Sequence, residues 1–262
     1  MKIEVLYPEV ANLYGELGNI MYLRASLEQS GIPCEITETP LTERPAFLDP
    51  EKGIEFVYLG TVTEHSQELI LEKFKGFRED FEAAVERGTH ILITGNSLEI
   101  FGSGVKDKDG SGFKGLGMFP FRTERNMMHH YNAFCVDRYF PPEGSTGRTK
   151  LLAEKPVVGF KCQFTQSYYE EEPEASEKFS PLFVAERGPG FNPDVTSEGI
   201  RYNNLMLTYM IGPIFVLSPY FMLSLLSEMK YEDAKPAYEK SAEEAYVRRL
   251  KEFRDPNRDF IY

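Results

Sequence analysis

The chain has 262 residues, 42% of them hydrophobic and 27% charged, and a formal net charge of −12. That length and balance suit a folded globular protein with a substantial core and exclude a disordered or fibrous chain. The acidic excess argues against generic nucleic-acid binding, because backbone phosphates would be repelled.

In chain order, residues 3–7 predict a first strand and residues 17–29 a helix stopped by Gly31. Further strands are expected at 33–36 and 56–59, then one long amphipathic helix over 66–87 closed by Gly88, then a strand over 89–94. Strands alternating with helices at this spacing predict an α/β protein with a mostly parallel, doubly wound sheet. The second half is richer in strand signals, at 131–139, 157–164, 182–185 and 205–210, with long polar loops over 102–117 and 169–181. The acidic run Glu170, Glu171, Glu172, Glu174 and Glu177 reads as a solvated loop. Helices are expected over 220–230 and from about Pro236 to Phe253, and the terminal Phe260-Ile261-Tyr262 is expected to dock on its own domain. No linker divides the chain, so a single domain over 1–262 is predicted, with C-terminal helices at about 219–253.

No run approaches the roughly 18 apolar residues of a membrane span. Met1-Lys2-Ile3-Glu4 enters a strand rather than a signal peptide, so a cytoplasmic location is expected. Cys34, Cys135 and Cys162 show no C-x-x-C spacing, and neither disulfides, structural zinc nor any cofactor is expected. Arg122, Arg125 and Arg138, interleaved with Met127, Met128, His129, His130 and Tyr131, read as a solvated strand edge.

The most informative stretch is Ile91-Leu92-Ile93-Thr94-Gly95-Asn96-Ser97-Leu98-Glu99-Ile100-Phe101-Gly102: a strand, a sharp turn and a short apolar helical pattern. Hydrolases hold a nucleophile at such a turn, with backbone N–H groups beside it for a developing oxyanion. Here the turn residue is Gly95, which has no side chain to attack anything. Alone, the segment is an ordinary glycine–asparagine turn.

Further segments raise it above that. Leu6-Tyr7-Pro8, Asn12-Leu13-Tyr14-Gly15-Glu16-Leu17-Gly18-Asn19-Ile20, Glu198-Gly199-Ile200-Arg201-Tyr202 and Leu207-Thr208-Tyr209-Met210-Ile211-Gly212-Pro213 follow in a recognisable order. Together with the elbow they resemble the class I glutamine amidotransferases of the cobyric acid synthase type, especially the glutaminase subunit that works beside a Mur-ligase-like enzyme on lipid II. The resemblance implies a three-layer, flavodoxin-like or Rossmann-like fold. It places Gly95 where the family has its nucleophilic Cys, and Ile211 where it has the His that activates the thiol and protonates leaving ammonia. Gly60-Thr61-Val62 stands for a glycine-rich oxyanion loop, and Lys161-Cys162-Gln163 for a Glu-Asn-His stretch. Glu16 matches the acidic residue that supports the catalytic His; without that His, a helix-dipole role is favoured for it.

The resemblance therefore implies a pseudoenzyme: an amidotransferase-like subunit that has lost glutaminase activity and binds or regulates a Mur-ligase-like partner in cell-wall lipid II amidation. The alternative is an enzyme of different chemistry, or a small-molecule binder, that uses the same crevice through Glu16, Asn96, Ser97, Glu99 and one of the paired histidines, with Gly60 and Thr61 alongside. Cys162 lies in a strand-like run with no histidine placed beside it by sequence, and is expected to be a buried, unreactive thiol.

Overall fold

A computed structural model of the protein describes residues 1–170, 176 and 178–258. The first half lays down β1 (Lys2–Leu6), α1 (Gly18–Gln29), β2 (Glu35–Thr39), β3 (Phe56–Leu59), α2 (Glu64–Gly76), α3 (Arg78–Glu86) and β4 (His90–Thr94). The chain continues through β5 (Gly104–Asp107), β6 (Gly112–Lys114), β7 (Phe121–Arg125), β8 (Tyr131–Tyr139), α4 (Gly147–Ala153), β9 (Val157–Gln163) and β10 (Thr165–Tyr169). It ends with β11 (Phe183–Arg187), β12 (Ser197–Glu198), β13 (Ile200–Tyr202), β14 (Leu205–Thr208), α5 (Ile214–Leu217), α6 (Pro219–Glu228) and α7 (Glu239–Arg254).

The central sheet has six strands in the order β13-β14-β4-β3-β1-β2, parallel throughout except for the antiparallel edge strand β13. Its inner strands read as unbroken apolar runs because both faces are covered. Val57, Leu59, Ile91, Ile93, Leu205 and Leu207 face one core with Ile70, Phe74 and Phe81 of α2 and α3. The alternate residues Phe56, Tyr58, Leu92 and Met206 face a second core with Ile20, Leu23 and Leu27 of α1 and the helices after β14. This is the expected three-layer α/β fold. Two four-stranded sheets flank it, β10-β7-β5-β6 and β12-β11-β8-β9; α7 packs Tyr246 against Val136 and Val158 of the latter.

Several elements differ from expectation for local reasons. The helix predicted over 66–87 breaks at Phe77, whose ring turns into the Phe74–Phe81–Phe101 cluster, 5.0 Å from Phe74. Lys73 and Lys75 end α2 while Glu79 and Asp80 begin α3, and these charges suit two helix dipoles better than one. The polar loop expected over 102–117 is the β5–β6 hairpin, turned at Asp109-Gly110. β7, β10 and α4 were not predicted. Of the acidic run, Glu170 donates its N–H to the Pro120 carbonyl, whereas Glu171, Glu172, Glu174 and Glu177 lie outside the described residues, as does Phe260-Ile261-Tyr262. Among the described residues no helix is long and apolar enough to cross a membrane.

Candidate functional site

At the carboxyl end of β4 the chain turns at Gly95, with φ +63°, into a 3₁₀ helix over Gly95–Phe101 rather than an α-helix. This left-handed backbone suits glycine, and the space beside it is taken. A Cβ built on Gly95 falls 2.8 Å from both Cβ and Cγ2 of Thr61, and closer still to its hydroxyl oxygen. Thr61 is 4% exposed.

Three hydrogen bonds hold the 60–62 strand extension against the elbow. The Asn96 amide accepts from Val62 N–H (3.1 Å) and donates to the Val62 carbonyl (2.9 Å), and Ser97 Oγ donates to the Gly60 carbonyl (2.6 Å). Gly60 in turn is backed by the Ala11 carbonyl, 2.5 Å from where its Cβ would stand. These bonds turn the polar atoms of the candidate ligand-binding residues Asn96 and Ser97 toward the neighbouring loop, stitching it to the elbow.

Glu16 is also placed differently from expectation. It is fully buried rather than paired with a helix dipole, and its carboxylate accepts from Tyr58 Oη (2.8 Å), Thr94 Oγ1 and Gly212 N–H (3.1 Å). Burial raises its pKa, opposed by those hydrogen bonds. Gly212 follows Ile211, which is itself buried and exchanges backbone hydrogen bonds with Phe160 (3.0 and 3.1 Å). Asn19 Oδ1 accepts from Phe215 N–H (2.9 Å), and a Cβ on Gly18 would meet Pro213 Cγ at 2.5 Å. The opening and closing motifs of the sequence thus meet in one place beside the elbow.

Of the remaining candidates, Thr61, Asn96 and Glu99 line a cavity of about 100 Å³, with Tyr14, Arg125, Cys162, Gln163 and Thr165 among its other walls. Glu99 is fully buried; it accepts from Thr165 Oγ1 (2.6 Å), Gln67 Nε2 (2.8 Å) and Tyr209 Oη (3.0 Å). Burial pushes its pKa up to about 7 against these hydrogen bonds. Arg125 belongs to the wall rather than to a solvated edge. It is 8% exposed and grips Asp107 through Nε and Nη2, both at 2.7 Å. Its Nη1, Thr61 Oγ1 and Gln163 Oε1 are buried and have no hydrogen-bond partner among the described residues.

Cys162 requires a further correction. It is partly exposed, not buried, and its Sγ lies 3.2 Å from His130 Nε2. His130 stands just before β8, two residues from Asn132, the register partner of Cys162; it is exposed and its ring stacks on Phe164 at 4.5 Å. His129 packs on Tyr131 instead (4.4 Å). Among the described residues no group of three or more His, Cys, Asp or Glu side chains could hold a metal ion.

Residues 2–215 match the CobB/CobQ-like glutamine amidotransferase domain. The chain belongs to this family. Within it, the chain is 26% identical over 203 residues to the lipid II isoglutaminyl synthase (glutamine-hydrolyzing) subunit GatD of Staphylococcus aureus, covering 78% of this chain and 73% of that protein. It is 23% identical over 249 residues to GatD of Streptococcus pneumoniae, covering 91% and 86%. Its fold is that of the glutaminase domain of Trypanosoma brucei CTPS solved with bound acivicin, at TM-score 0.53 and 10% identity over 88% of this chain and 94% of that one.

For this amidotransferase-family chain, no sequence pattern marks Gln67, Thr165 and Tyr209 as the hydrogen-bond partners of Glu99 or Asp107 as the partner of Arg125. The one usable signal was the Asp109-Gly110 turn, which folds Asp107 into a hairpin opposite Arg125. A larger concavity, about 1080 Å³, runs along α7 between charged residues such as Lys240, Glu244 and Arg248; it is open and takes no residue from the elbow.

Proposed function

We propose that this amidotransferase-family chain has lost glutaminase chemistry and acts as a partner-binding or regulatory subunit of a Mur-ligase-like enzyme that amidates lipid II. The observation that carries the first half is Thr61 standing in the space a side chain at position 95 would need. Splitting a carboxamide needs a nucleophile at the turn, a donor set for the oxyanion and an acid to protonate leaving ammonia. Gly95 supplies no nucleophile. The side chain of Ile211 transfers no proton, and Thr61 fills the approach between the elbow and its loop.

The second half is supported by the GatD relatives, which are named as subunits of lipid II isoglutaminyl synthase. The framework around the erased chemistry is kept: Glu16, Gly18 and Asn19 still lock onto 212–215, which is costly to maintain unless the folded shape itself is used. The test has two arms. Purified protein incubated with glutamine should release no ammonia above the spontaneous rate, and it should bind a Mur-ligase-like protein from the same cells in a direct titration. Ammonia release by the chain alone contradicts the first arm; absence of binding contradicts the second.

A further inference from the structure

The outer face of the sheet β10-β7-β5-β6 carries two concavities that take no residue from the elbow. Strand register sets Lys106, Glu124 and Gln166 side by side across β5, β7 and β10. They lie on the face opposite Thr165 and Ser167, whose hydroxyls bond inward to Glu99 and Tyr209. Gln166 forms part of the wall of both concavities, of about 380 and 460 Å³, which also share Tyr131. Small-ligand sites have volumes of roughly 300–1,000 Å³. Only 6% of Gln166 is exposed, yet its amide has no hydrogen-bond partner among the described residues, and neither amide atom is sealed from solvent. A buried carboxamide is ordinarily spent on protein partners. This one keeps its donor and its acceptor open to the concavities.

The two concavities differ in chemistry. The smaller has Lys106 and Lys108 on its wall, both exposed and neither in an ion pair among the described residues. The other charges there are matched: Asp107 holds Arg125 through two hydrogen bonds, and Glu124 faces Arg122 at 3.6 Å. Asp109, in the hairpin turn, is outside the wall and accepts from Ser111. In a chain of net charge −12 this local excess of cations suits an anion. The larger concavity is walled by Tyr131 and His129, packed at 4.4 Å, together with Pro189 and Pro193. Such a lining takes a planar ring. Between the two, the carboxamide presents a donor and an acceptor side by side, as the N6–H and N7 edge of adenine requires. We propose that the paired concavities bind an adenine mononucleotide, with the base in the larger one against Gln166 and the phosphate in the smaller one at Lys106 and Lys108.

A single phosphate monoester suits the smaller concavity, because its charge of about −1.5 to −2 at pH 7 is matched by two free lysines. The shared wall at Gln166 and Tyr131 leaves the ribose to bridge the two halves. No bond is made or broken in the site. The inference stands apart from the glutaminase-loss reading, since its groups come from the second sheet and its loops, and either reading can fail without the other.

The test is calorimetric titration of the full chain with AMP, adenosine, GMP and inorganic phosphate in turn. AMP is expected to bind about 10-fold or more tightly than adenosine at low salt, with the gap narrowing as salt rises. Lys106→Ala with Lys108→Ala should bring AMP down to the affinity of adenosine and leave adenosine unchanged. Gln166→Leu should weaken AMP and adenosine alike by about 10-fold. It should leave the melting curve in place, since the amide bonds to nothing among the described residues. GMP, with an acceptor where adenine has its amino group, should bind more weakly than AMP. No measurable binding of AMP at millimolar concentration overturns the proposal, as does AMP binding that survives both sets of substitutions unchanged. Inorganic phosphate or GMP binding as tightly as AMP overturns the role given to the base.

Discussion

Gly95 and Thr61 each limit what the other position can hold. Any side chain at 95 meets both a left-handed backbone and the Thr61 side chain, so Gly95→Ala should cost about 2 kcal/mol or more in denaturant titrations. The steric part should vanish in a Thr61→Gly background, leaving a positive coupling in the double-mutant cycle. Equal costs in both backgrounds would mean that Thr61 is not the obstacle. Nothing in the sequence announced this contact: the elbow glycine and the β-branched loop were each legible, but their apposition depends on β3 and β4 lying side by side in parallel register.

Glu99 makes a second residue-scale prediction. Its folded pKa of about 7 lies above the ordinary 4.5, so the folded state favours the protonated form. Its contribution to stability is complete below about pH 4.5 and is lost as pH rises through 7. Between pH 5 and 8 the wild type should lose up to about 3 kcal/mol relative to Glu99→Gln, which carries no such proton. Parallel stability–pH curves for the two proteins would refute the assignment. Sequence reading singled out Glu99 by its place after the elbow, but its burial follows from Gln67, Thr165 and Tyr209 arriving from three distant elements.

At the scale of elements, the first half was legible because each strand and helix carries its own period and its own stop. The second half was less so, because β5, β7 and β10 are short and pair across long separations, which no local pattern encodes. One cluster there ties three elements together. Arg201 of β13 reaches Glu228 of α6 at 2.7 Å and also the hydroxyl of Tyr139 in β8, all of it buried. Burial alone would lower the Arg201 pKa; Tyr139 and Glu228 outweigh it and raise it. Arg201→Leu should therefore destabilise by about 3–5 kcal/mol by stranding Glu228, and Arg201→Leu with Glu228→Leu by less. A double variant worse than the single would show that the charges are not acting as a pair.

At the scale of the molecule, family membership was readable because the two motifs that suggested it are in contact: Glu16 with Gly212, Gly18 with Pro213 and Asn19 with Phe215. The Cys162–His130 pair was not readable, since it joins a strand to a turn whose geometry only the folded chain defines. A family fold retained around Gly95, where we propose that glutaminase chemistry has been lost, is the feature that the proposed subunit role accounts for. The most direct test of that account is ammonia release from glutamine by the purified chain, wild type and Cys162→Ala side by side, with and without a Mur-ligase-like partner. The account predicts that neither protein releases ammonia above the uncatalysed rate in either condition. Turnover by the wild type that disappears in Cys162→Ala would contradict it, because the thiol beside His130 would then have taken over the work that Gly95 cannot do.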